Sequence, residues 1–119
     1  MALSHRTFLA AFFAIALVSQ AAVAHSTKEG TTPPDGEVLS TSPETIGMTF
    51  DMPMRVTMIS LTDQDGAEHG LTRQDNMQPV TVFDAKPPVL AGGKYKVQWR
   101  GLAEDGHPMQ GTFSFEVTD

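Results

Sequence analysis

Hydrophobic and polar residues alternate over short stretches of this 119-residue chain, and turn residues cut each stretch off. Strict alternation marks a strand with one buried face, because successive side chains of a strand point to opposite sides. Ile46, Met48 and Phe50 alternate with Gly47 and Thr49 and predict a strand, with Met52-Pro53-Met54 at its end. Val56–Thr62 is rich in β-branched residues and predicts a second, ending before the tight-turn dipeptide Asp65-Gly66. Val80–Phe83 is a third, bounded by Pro79 and by Pro87-Pro88. Gly92-Gly93 opens a strand over Lys94–Arg100, where Tyr95, Val97 and Trp99 share one face. In Gly111–Val117 the inward positions are Phe113, Phe115 and Val117. No stretch keeps a helical period long enough to predict a helix. With a Pro- and Gly-rich entry at Pro33–Gly36, the spacing predicts one all-β domain of about seven strands, a small antiparallel sandwich or barrel.

Residues 1–24 follow another pattern. Arg6 supplies a basic start, Phe8–Val18 is an unbroken apolar run, and Ala22-Val23-Ala24 is an A-x-A cleavage site, so the segment reads as a secretory signal peptide. The run is shorter than the roughly 20 apolar residues that span a bilayer, and no later stretch approaches that length. The expected mature protein is an exported domain of residues 25–119 that begins at His25 and does not insert into the membrane.

Charge and cysteine content narrow the chemistry. A formal net charge of −6 has the wrong sign for nucleic acid or for an acidic membrane surface. It favours a cationic ligand only mildly, since net charge speaks first to solubility. With no cysteine, thiolate metal sites, redox pairs and thiol nucleophiles are excluded. Any metal must then be held by His, Asp, Glu, Met or a free amino terminus. No Gly-rich phosphate loop, G-x-S-x-G elbow or HExxH helix is present.

The candidate ligands each carry two readings. At the expected mature terminus, His25 offers an amine and a ring Nδ1 that can chelate one ion; it is otherwise a chance residue after a cleavage site. Asp105-Gly106-His107-Pro108 can present a carboxylate and an imidazole to one side, or can simply be a turn. His69, just past the Asp65-Gly66 turn, reads as a solvated hairpin residue or as a ligand. Met48 belongs to the core by alternation. Met52 and Met54 carry soft thioethers suited to Cu(I), or fill gaps in the core.

Two blocks of sequence resemble the CopC family of periplasmic copper-binding proteins. The first is His25, Thr32-Pro33-Pro34-Asp35-Gly36 and Pro43 through Phe50; the second is Leu90 through Arg100, Asp105-Gly106-His107-Pro108 and Gly111 through Phe115. The resemblance implies a Greek-key β-sandwich, immunoglobulin-like or cupredoxin-like, and a Cu(II) site made of His25, Asp105 and His107. It also implies a periplasmic carrier or buffer in copper homeostasis or resistance, working beside an inner-membrane copper transporter of the CopD type, and no enzymatic activity. Some members hold Cu(I) at a second site in a Met-rich loop. Here the corresponding stretch, Leu61–Gln78, has Met77 as its only methionine, which implies a Cu(II)-only variant with Met52, Met54 and His69 as remaining second-site candidates.

Two other functions fit parts of the same pattern. A copper ion held by an N-terminal histidine and a second histidine resembles the site of lytic polysaccharide monooxygenases, but Asp105 would fill a position that O₂ needs. A metal-free immunoglobulin-like interaction module predicts that His25 and His107 have no bearing on copper.

Overall fold

The computed structural model describes residues 28–119, and every regular element in them is a strand. The strands are β1 (Lys28–Thr32), β2 (Glu37–Leu39), β3 (Ile46–Asp63), β4 (Glu68–His69), β5 (Thr72–Arg73), β6 (Val80–Lys86), β7 (Gly93–Ala103) and β8 (Pro108–Val117). The expected leader, residues 1–24, and His25 lie outside the described residues.

The described residues are all-β, as the alternation predicted, but the first two expected strands are one. β3 runs unbroken for 18 residues through Met52-Pro53-Met54. Its first part, Ile46–Thr49, pairs with β6 on one edge, and Gly47–Phe50 pairs with β1 on the other. From Met54 onward it pairs with β7, and near its end with β4. Met54 stands opposite both Val80 and Ala103, while Asp51, Met52 and Pro53 fall in the break of the β3–β6 ladder that precedes it and before the β3–β7 ladder begins. A strand that changes partners in this way carries the chain from one layer of a sandwich to the other. Pro53 lacks an N–H, which suits it to the stretch where no ladder bond is needed.

The sheet order is β2-β8-β7-β3-β6-β5, with β1 and β4 also on β3. All pairings are antiparallel except that three-residue β2 lies parallel to β8, a departure from the purely antiparallel expectation. The core lies between the layers. Phe50 meets Trp99 edge-on with ring centroids 5.5 Å apart, and Tyr95 stacks on Phe115 at 5.4 Å. Ile46, Met54, Val56, Leu61, Phe83, Val97 and Phe113 are fully or almost fully buried around them. The inward faces read from β7 and β8 are therefore the observed ones.

Candidate metal centre

β7 and β8 form a hairpin whose ladder runs from Gly93↔Val117 to Leu102↔Pro108. Its tip is built by the sequence Ala103-Glu104-Asp105-Gly106-His107. The Gly106 N–H donates to the Ala103 carbonyl at 2.8 Å, and the Ala103 N–H donates to the His107 carbonyl at 2.9 Å. Gly106 has φ +86°, a conformation that only glycine adopts without strain. This is a tight turn followed by a glycine bulge, one of the common short hairpin connections.

The turn brings Asp105 and His107 to one side. Asp105 Oδ1 accepts the backbone N–H of His107 at 3.0 Å, and Oδ2 lies 2.5 Å from ring Nδ1. The side chains are open to solvent, 76% exposed for His107 and 64% for Asp105. The backbone N–H of His107, and next its ring, hold the Asp105 carboxyl below the usual carboxylate range. A carboxylate only accepts hydrogen bonds, so Nδ1 carries the proton. In the neutral ring that leaves Nε2 with the free lone pair, ready to bind a metal. The turn reading and the ligand reading of this segment are thus compatible: the turn geometry is what presents the imidazole.

The other candidates separate. Met52 is 48% exposed and lines a surface hollow of about 300 Å³ with Ala103, Glu104 and Asp105. Met54, read as either a strand-end ligand or a filler of core gaps, is the latter: it is completely buried in the middle of β3, with its sulfur beside Gly101. It cannot meet an ion at the surface. His69 sits at the far end of the sheet. The β3–β7 register puts Asp63 opposite Tyr95 and Met54 opposite Ala103, a separation of roughly 30 Å along the strand. There His69 Nε2 lies 3.0 Å from Asp63 Oδ2 and its ring packs edge-on against Tyr95. Asp63 also accepts the backbone N–H groups of Asp65 and Ala67, so the pair closes the Asp65-Gly66 hairpin. The His69 bond is the main cause of the lowered Asp63 carboxyl.

Among the described residues no three His, Cys, Asp or Glu side chains come together around one point. The hairpin tip supplies two groups of an expected set, Asp105 and His107, and His25 lies outside the described residues. Sequence reading missed the Asp63–His69 pair and the proximity of Met52 to Asp105. For Asp63 a signal existed: an Asp at the start of a D-x-D-G turn is placed to accept the turn's own N–H groups.

Fold and site together define a small β-sandwich with an exposed carboxylate–imidazole pair at one hairpin tip. Residues 28–118 match the CopC domain family model. Copper resistance protein C of Pseudomonas syringae pv. tomato is 31% identical over 127 aligned positions, covering 98% of this chain and 99% of that protein. Its namesake from Xanthomonas campestris pv. juglandis is 29% identical over 119 positions. The crystal structure of CopC from Methylosinus trichosporium OB3b superposes with a TM-score of 0.66 at 26% identity, covering 79% of this chain and 94% of that one. PcoC, a copper resistance protein from Escherichia coli, shares the fold with a TM-score of 0.62 at 22% identity, over 76% of this chain and 98% of that one. The chain belongs to the CopC family.

Proposed function

We propose that this protein is a periplasmic copper carrier or buffer, exported by cleavage after Ala24, that captures Cu(II) with His25, Asp105 and His107. The observation that carries the reading is the Asp105–His107 pair, which leaves a ring nitrogen free at an exposed tip. Strand direction supports the third ligand. β1 runs antiparallel to β3 and starts with Lys28 opposite Phe50, four residues along β3 from Met54, which is paired to Ala103 at the hairpin tip.

An amine, two imidazoles and a carboxylate form a tetragonal donor set suited to Cu(II), which also stands at the top of the divalent affinity order. Asp105 Oδ2 faces ring Nδ1, across the ring from Nε2, so to share an ion with Nε2 the carboxylate releases the ring while Oδ1 keeps the His107 N–H. Binding is the whole function in this reading, with no catalysed reaction. Delivery goes to an inner-membrane copper transporter of the CopD type.

The test is Cu(II) competition titration with electron paramagnetic resonance on two forms of the protein. One begins at His25 with a free amine; the other carries one extra residue before it. Sharply weaker binding and a changed spectrum in the extended form are expected. Equal binding by both forms, or by neither, overturns the reading.

A further inference from the structure

The outward face of β7 is opposite in charge to the molecule as a whole. Lys94, Lys96, Gln98 and Arg100 are exposed there, in alternation with buried Tyr95, Val97 and Trp99. Three of the chain's 8 lysines and arginines thus stand in one row, roughly 20 Å long from Lys94 to Arg100. The chain has 14 acidic residues, yet the strand register gives this row one acidic neighbour, Glu116 opposite Lys94. Lys96 lies between Thr62 and Ser114, Gln98 between Ser60 and Thr112, and Arg100 between Met58 and Gln110. Ion pairs among the described residues are made by His69, Arg73 and His107, and none by these three cations. Surface hollows of about 410, 320 and 420 Å³ follow the row, the first beside Lys94 and Lys96 and the other two sharing Arg100. Asp63 also borders the first hollow, but His69 engages it.

We infer that this face is a docking surface for an acidic segment of another protein, bound in extended conformation along β7. Spacing fits the segment to the row. Side chains on one face of an extended chain recur about every 7 Å, so acids at alternate positions meet Lys94 and Lys96, and an acid four residues further on meets Arg100. The exposed amides of Gln98 and Gln110 and the Thr112 hydroxyl offer hydrogen bonds to its carboxylates and backbone. Width decides between occupants. At physiological ionic strength a charge is felt over about 8 Å, so a segment as narrow as a strand meets the row alone. An anionic bilayer or a second copy of this chain is as broad as the molecule, meets its net charge of −6 as well, and is repelled by it. The row runs toward Ala103, so a partner held there lies along the strand that leads to the Asp105–His107 tip. The inference stands on the charge and shape of this face and does not rest on the copper reading.

The test titrates the full mature protein, without added metal, with a peptide in which Glu and Thr alternate. A second peptide of the same composition, with its Glu residues in one block, is the comparison. Amide NMR shifts map the contact and give the affinity. The alternating peptide should bind more tightly and should shift the amides of Lys94–Leu102 and Gln110–Ser114. Lys96→Gln and Arg100→Gln should each weaken it about two- to fivefold, the range of an exposed ion pair. Lys86→Gln, at an exposed lysine on β6, should leave it unchanged. All three positions are exposed, and well-dispersed spectra of the free variants establish that each is folded. Shifts centred elsewhere, equal binding of the two peptides, or an effect of Lys86→Gln as large as that of Lys96→Gln overturns the inference. Tighter binding to phosphatidylglycerol vesicles than to the peptide, or self-association lost in Lys96→Gln, overturns it in favour of a membrane or a second copy.

Discussion

Asp105 holds His107 twice, accepting its backbone N–H with one carboxylate oxygen and facing ring Nδ1 with the other. The first contact sets the turn and the second sets the tautomer. One residue therefore couples the shape of the hairpin tip to the metal-binding state of the imidazole, although both side chains stand in solvent.

That coupling predicts an asymmetric mutational result. Asp105→Asn keeps an oxygen for the backbone N–H but removes the negative charge from the ring and from the ion. Cu(II) affinity should fall by about 10–100-fold, the usual cost of losing such a partner, while thermal stability changes little. His107→Ala should abolish the Cu(II) spectrum of the native site. An affinity unchanged in Asp105→Asn would place the carboxylate in the turn alone.

Acid should release copper through the nitrogen ligands. The Asp105 carboxyl titrates below the usual range, chiefly because of the His107 N–H, so it stays ionised between about pH 5 and 8. Imidazole and α-amino groups in model peptides take up protons at about 6.5 and about 7.7–8.0. Protons and copper compete for those lone pairs, so Cu(II) affinity should decline as pH drops below about 7. A titration series across this range checks it, and an affinity flat with pH would contradict nitrogen ligation.

Stability should depend on a pair far in sequence from the Asp105–His107 tip. Arg73 donates through Nε to Asp75 Oδ1 at 3.0 Å and through Nη2 to Oδ2 at 2.7 Å. The same Nη2 donates to the Val56 carbonyl at 2.5 Å, and the guanidinium lies 5.1 Å from the Phe83 ring centroid. Asp75 is only 5% exposed, and the Arg73 hydrogen bond holds its carboxyl below the usual range. A carboxyl lowered on folding contributes stability above its unfolded value of about 3.9, and loses it as pH falls through the folded value. Asp75→Asn should cost about 1.5–3 kcal/mol at neutral pH, with the gap closing below about pH 4. Urea unfolding of both proteins at pH 7 and pH 3 measures it; a gap of the same size at both pH values would refute the pair's role.

Trp99 reports on a close approach within the β7–β8 hairpin. A Cβ on Gly111 would fall 2.5 Å from the indole Nε1 and 2.9 Å from Cε2, so the ring must move. Gly111→Ala should cost about 1–3 kcal/mol, as overpacking of a filled core does, and should shift the emission of this lone tryptophan. Gly70→Ala, where nothing lies within 4 Å, is the matched control and should change neither.

The sequence by itself determined everything that depends on local period and local turn chemistry. Tyr95, Val97 and Trp99, and likewise Phe113, Phe115 and Val117, were assignable to the core because a strand's side chains repeat every two residues. The Asp105-Gly106 turn was legible because a bulge at φ +86° calls for glycine. Only the tertiary structure decided that Ile46–Phe50 and Val56–Thr62 are one strand, that Met54 is inside while Met52 is outside, and that His69 belongs to Asp63 at the opposite end from His107. Arg73 finding the Val56 carbonyl, 17 residues away, is of the same kind. Period two says which residues share a face but not which strand lies across from them. That choice is made by long-range pairing, which moved β3 from one layer to the other near Met52 and so decided which side chains stand beside the Asp105–His107 tip.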